Sequence, residues 1–74
     1  MNRSQALAPL NKGEGRVNLT AGLAIRGAIR RGAISYGVDY YEEKGWLDSV
    51  FVLRGPAERV IQLKKAIEKT FGED

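Results

Sequence analysis

From Trp46 to Arg54 apolar residues fall on both parities of the chain: Val50 and Val52 on one, Leu47, Phe51 and Leu53 on the other. A segment this short with two apolar faces reads as a β-strand covered on both sides. It must sit inside a sheet and carry layers above and below. At 74 residues the chain has room for one domain. A chain of this size buries only about 60% of its unfolded surface, so association is a common aid to its stability.

The segment that follows sets the second layer. Gly55-Pro56 opens a helix, with proline suited to the first helical position. Val60, Leu63, Ile67 and Phe71 form an apolar stripe at helical spacing, flanked by Ile61 and Ala66. Glu58 in the first turn and Lys69 in the last match the helix dipole. Gly72 is the expected stop. Arg59, Lys64, Lys65 and Glu68 form the opposite, charged face.

Upstream, residues 17–26 alternate, with Val17, Leu19, Ala21, Leu23 and Ile25 on one parity. This period of two predicts a half-buried strand. A rival helix from Thr20 to Gly32 would carry Gly22 and Gly27 in its interior, at a cost of about 1 kcal/mol each relative to alanine. The strand is preferred. Residues 33–41 alternate again, with Ile34, Tyr36, Val38 and Tyr40 on one face, and predict a second strand. Residues 27–32 then form the connection and place Arg30 and Arg31 near its tip. Glu42-Glu43-Lys44-Gly45 reads as a hairpin turn. The glycines at 22, 27, 32 and 37 recur every five residues, a period of neither helix nor strand, and read as easing strand bends.

The expected architecture is α+β: a three-stranded antiparallel meander with one C-terminal helix on one face, βββα, with αββα as the alternative. Residues 1–15 read as a flexible arm ahead of a domain at 16–74. Ala8-Pro9 disfavours helix there, and Asn11-Lys12-Gly13-Glu14-Gly15 is turn chemistry. One covering helix leaves the second sheet face open, exposing Val50 and Val52 with Tyr41 and Trp46. An open apolar face marks a surface for a partner or a second copy. The competing arrangement folds the arm back, with Leu7 and Leu10 over that face.

Composition removes several chemistries. There is no cysteine and no histidine, so disulfides, thiolate chemistry and zinc sites are not expected. General acid–base catalysis favours histidine or two carboxylates in different environments. Asp39, Glu42, Glu43 and Asp48 gather near the turn but read as solvated. No serine has a histidine to activate it. Gly27 and Gly32 have the outer spacing of a phosphate-binding loop, but Ala33-Ile34 stand where Lys and Ser/Thr are required. No cofactor or catalytic residue is assigned, and the chain is not expected to be an enzyme. No apolar run is long enough for a membrane span, and Met1–Leu10 lacks the apolar stretch of a signal peptide, so a cytoplasmic protein is expected.

The charge is uneven. Residues 1–38 hold six basic side chains against Glu14 alone, whereas residues 39–74 hold six against eight acids. The leading expectation is a protein-binding module, a subunit, adaptor or inhibitor that docks on a protein or forms a homodimer through Tyr41, Trp46, Val50 and Val52. The alternative is a nucleic-acid-binding module, with Arg16, Arg26, Arg30, Arg31, Lys64 and Lys65 contacting phosphates.

Overall fold

The computed structural model describes residues 1–71; the stop expected at Gly72 lies outside them. The elements are α1 (Arg3–Leu7), β1 (Glu14–Gly22), α2 (Leu23–Tyr36), β2 (Asp39–Lys44), β3 (Asp48–Pro56) and α3 (Ala57–Phe71). The three strands form one antiparallel sheet in the order β1-β3-β2. The α+β class and the three-stranded sheet are as expected. The meander and the single helix are not.

The two-sided run takes the centre. β3 pairs with β1 from Glu14↔Pro56 to Gly22↔Asp48, and with β2 from Asp39↔Arg54 to Lys44↔Ser49. Phe51 and Leu53 point to one face and are fully buried; Val52, on the other face, is 5% exposed. β1 and β2 therefore run parallel to each other with β3 between them, and α2 makes the crossover. This is the split βαβ arrangement.

The largest correction concerns residues 23–36. They form a helix, and the expected strands 17–26 and 33–41 are each cut by it. β1 ends at Gly22, and β2 starts only at Asp39. The residues that settle this are Ile25, Ile29, Ala33 and Tyr36. They lie one helical turn apart, and all pack in or against the core with Phe51, Leu53, Val60 and Leu63. Burying that stripe outweighs the propensity cost of the internal glycines. Gly32 also has a packing role, because a Cβ there would come within 2.9 Å of Leu63 Cδ1. A glycine at this point lets α2 approach α3 closely.

Two glycines bracket the helix. Gly22 is its N-cap, and Gly37 its C-cap at φ 68°, a left-handed conformation that favours glycine. The Gly37 N–H donates to the Ile34 carbonyl at 3.2 Å and the Val38 N–H to that of Ala33 at 2.8 Å, closing the helix end. The αββα alternative has the order of α2, β2, β3 and α3 but lacks both α1 and the third strand, β1.

The segment read as an arm holds α1 and the first residues of β1. α1 starts with a capping box, in which Asn2 Oδ1 accepts from the Gln5 N–H and Gln5 Oε1 from the Asn2 N–H, both at 2.8 Å. α1 contacts β2 and β3 on the face opposite α2 and α3. Ala6 is its buried residue, while Leu7 and Leu10 stay exposed.

The face assignment makes a prediction. Phe51→Ala should lower unfolding free energy by about 3–5 kcal/mol, and Val50→Ala by less than about 1 kcal/mol. Urea unfolding followed by circular dichroism measures both. Equal losses at the two positions contradict the assignment.

Candidate protein-binding site

Three of the most exposed apolar side chains lie at one end of the sheet, while Ile34, at 74%, stands apart from them near the end of α2. β2 continues to Lys44, so the turn is Gly45-Trp46-Leu47, and Trp46 lies in the turn instead of in β3. The Gly45 N–H donates to the Asp48 carbonyl at 2.6 Å, and a Cβ at Gly45 would stand 2.8 Å from that oxygen. The turn is thus too tight for a side chain at Gly45. Its two apolar residues project into solvent, with Trp46 94% exposed and Leu47 72%. Gly22 pairs with Asp48, so the next residue, Leu23 at 63% exposure, reaches the same end. Lys44 and Asp48 flank the cluster.

The sheet face opposite the core is only partly open. Tyr41, Val52 and Asn18 form one cross-strand row, and Glu43, Val50 and Thr20 the next. Val50 is exposed and Tyr41 half-buried, but Val52 is buried. Of the four expected interface residues, Trp46 and Val50 reach solvent readily. Val52 does not, because α1 lies against this side of β3.

Two arginines on neighbouring strands hold α1 there. Arg16 and Arg54 are paired across β1 and β3. Arg16 Nη1 donates to the carbonyls of Ala6 at 3.1 Å and Ala8 at 2.6 Å. Arg54 donates to Gln5, to Ala8 at 3.1 Å, to Pro9 at 2.8 Å and to Glu14 Oε1 at 2.9 Å. The guanidinium groups thereby satisfy the carbonyls that a helix C-terminus leaves without partners. A backbone hydrogen bond from Asn11, with that of Arg54, holds Glu14 below the usual glutamate value. Sequence reading did not single out Arg54. Its role follows from the β1–β3 register, which no local pattern announces.

The basic residues assigned to nucleic acid are differently placed. Arg30 and Arg31 lie within α2, not at a hairpin tip. Arg30 Nη1 donates to Glu42 Oε1 at 2.7 Å, and Ser49 Oγ donates to Glu42 Oε2 at 2.8 Å. Arg26 Nη1 lies 3.8 Å from Glu42 Oε2 and donates to Ser49 Oγ at 3.3 Å. Arg26 Nε is buried without a partner. Burial pushes the Glu42 carboxyl up, but the bonds from Ser49 and Arg30, with the charges of Arg30 and Lys44, take it below its ordinary value. Glu42, read as a solvated turn carboxylate, is instead the shared anion beneath α2. Arg16, Arg26 and Arg30 are thus engaged within the fold. Lys64 lies 3.8 Å from Glu68 on its own helix, while Arg31 and Lys65 face solvent.

Among the described residues, no group of three acidic side chains is placed to hold a metal ion, and no helix is long and apolar enough to cross a membrane. A scan against protein-family models and searches of curated proteins and of solved structures each gave no match.

Two predictions follow from these ion networks. A depressed carboxyl stabilises the fold above its unfolded value and loses that contribution as pH falls through the folded value. Unfolding free energy should therefore drop as pH falls below about 4.5. Glu42→Gln should flatten that slope and cost about 1–3 kcal/mol at neutral pH; an unchanged acid profile refutes the role given to Glu42. Arg54→Met should raise hydrogen exchange at the Ala6 amide about tenfold or more, since hydrogen bonds to charged groups contribute about 1.5–3 kcal/mol. Wild-type protection in that variant shows that α1 does not depend on Arg54.

Proposed function

We propose that the chain is a small non-enzymatic protein-binding module, a subunit, adaptor or inhibitor that docks through its apolar end. The observation that carries this reading is the cluster of Trp46, Leu47 and Leu23, all largely in solvent at one end of the sheet. Holding three large apolar groups in water is unfavourable by about 25 cal/mol per Å² of exposed apolar surface. A fold that presents them together on a tight turn supports a surface built for burial against another protein. Tryptophan inside a polar rim is the residue type where binding energy concentrates. Val50, two residues after the start of β3, extends the surface towards the sheet face.

The absence of histidine and cysteine, and the engagement of Glu42 with two arginines, support a binding role over a catalytic one. The nucleic-acid alternative would rest on Arg31 and Lys65, since Arg16, Arg26 and Arg30 hold other parts of the chain. Phosphate-driven binding by so few cations should be weak and should fall steeply with salt.

The reading is tested by placing a photo-crosslinking amino acid at Trp46 and, separately, at Lys65, in cells that produce the protein. Discrete protein adducts at position 46 and none at 65 are the expected result. Equal labelling, or nuclease-sensitive adducts at position 65 alone, overturns it in favour of non-specific contact or nucleic acid.

A further inference from the structure

The two edges of the sheet differ. β2 is short, six residues, and carries Asp39, Glu42, Glu43 and Lys44; short, charged edges resist pairing with other strands. β1 spans nine residues without proline or lysine. Its two charges, Glu14 and Arg16, lie at its start and are engaged with Arg54 and with the Ala6 and Ala8 carbonyls. α1 contacts β2 and β3 and leaves the β1 edge free.

The direction of the free backbone groups follows from the register. The Ala57 N–H donates to the Gly13 carbonyl at 2.9 Å, continuing the β1–β3 ladder, so odd-numbered residues of β1 bond to β3. In an antiparallel pair the alternate residues then turn their N–H and C=O groups outward. The Glu14 N–H is taken by the Asn11 carbonyl, and Gly22 caps α2. Among the described residues, Arg16, Asn18 and Thr20 keep both outward groups free, a set symmetric about Asn18.

The side chains along this edge are incompletely covered. Val17 and Leu19 face the core yet remain half-exposed. On α3, Leu63, Ala66, Ile67 and Thr70 face α2, and Ala57 and Val60 face Gly15 of β1. At 100° per residue, Ile61 then points away from α2, over the free edge, and is 52% exposed.

We propose that the free edge of β1 pairs antiparallel with the same edge of a second copy, with the two-fold axis at Asn18, to form one six-stranded sheet across two chains. This goes beyond the protein-binding reading: the partner is a second copy, and the surface is separate from Trp46. In this register Arg16 pairs with Thr20 of the second copy, and Asn18 with Asn18, so the N–H and C=O groups of these three residues are satisfied. Val17 falls opposite Leu19 at a non-hydrogen-bonded pair, where side chains come closest. No like charges face each other along the strands. A helix rises about 1.5 Å per residue and a strand about 3.3 Å, so Asn18 lies level with the middle of α3. The two α3 helices then run antiparallel across the axis, and the acidic first turn at Glu58 meets the basic last turn at Lys69 of the second copy. Lys64, nearest the axis, is already beside Glu68 of its own helix.

Light scattering on the full chain should give twice the monomer mass of 8.2 kDa. Asn18→Pro removes an outward N–H without touching the β3 ladder, so the mass should halve while the circular dichroism is retained. As a second measure, Asn18→Cys introduces the chain's only thiol. Across the axis its Cα atoms stand about 5.5 Å apart, and mild oxidation should give a covalent dimer. Thr20→Cys, with its copies about 14 Å apart, should not. A monomeric wild type, or equal cross-linking of the two cysteine variants, overturns the proposal. So does a dimer lost in Trp46→Lys but kept in Asn18→Pro, which moves self-association to the apolar end. A monomer that still gives protein adducts at position 46 ends only the edge pairing and leaves the protein-binding reading intact.

Discussion

Every other element is fixed by the double pairing of β3. Its backbone is hydrogen-bonded on both sides, to β1 and to β2, and its side chains are covered on the core face and, at Val52, on the other. Phe51 and Leu53 anchor the core beneath α2 and α3, while Val52 lies on the side of α1. A strand so placed forces its neighbours to be parallel to each other. Parallel strands need a long crossover, and α2 is that crossover. The helix at residues 23–36 is thus a consequence of where β3 sits as much as of its own sequence.

Charge in this chain works mainly as internal fastening. The basic first half suggested a surface for polyanions, but Arg16, Arg26 and Arg30 turn to carbonyls and to a carboxylate within the fold. Arg16, with Arg54 from β3, binds the end of α1. Arg26 and Arg30 converge on Glu42 and fix α2 over β2. Arginine suits both tasks, since its planar fork can satisfy several oxygens at once. The same contacts that lock the fold remove these side chains from any external ligand.

What the fold leaves unsatisfied is therefore apolar and backbone surface. The turn at Gly45 pushes Trp46 and Leu47 into water beside Leu23. Among the described residues, the edge of β1 keeps three residues' hydrogen-bonding groups unpaired beside half-covered Val17, Leu19 and Ile61. Both features underlie the proposal of a protein partner. They lie at different places, so one surface can serve association with a like chain while the other remains available.

The sequence by itself determined β3 and α3. Their signals are local: two-sided apolar parity from Val50 to Leu53, and the Val60-Leu63-Ile67 stripe after Gly55-Pro56. It also determined that Phe51 and Val52 take opposite faces, because alternation along a strand admits no other choice. The region from Val17 to Tyr41 was ambiguous, since Leu19-Ala21-Leu23-Ile25 satisfies a period of two while Ile25-Ile29-Ala33-Tyr36 satisfies the helical one. Only tertiary structure chose between them, by offering α2 a buried site over β3 and against Leu63, where Gly32 permits close approach. The fate of the expected site was decided in the same way. Trp46 is exposed because the turn is tight, and Val52 is hidden because Arg16 and Arg54, 38 positions apart in the numbering of a paired register, together bind α1. Pairing across that distance leaves no trace in either neighbourhood, because it depends on strand order and not on local residue pattern.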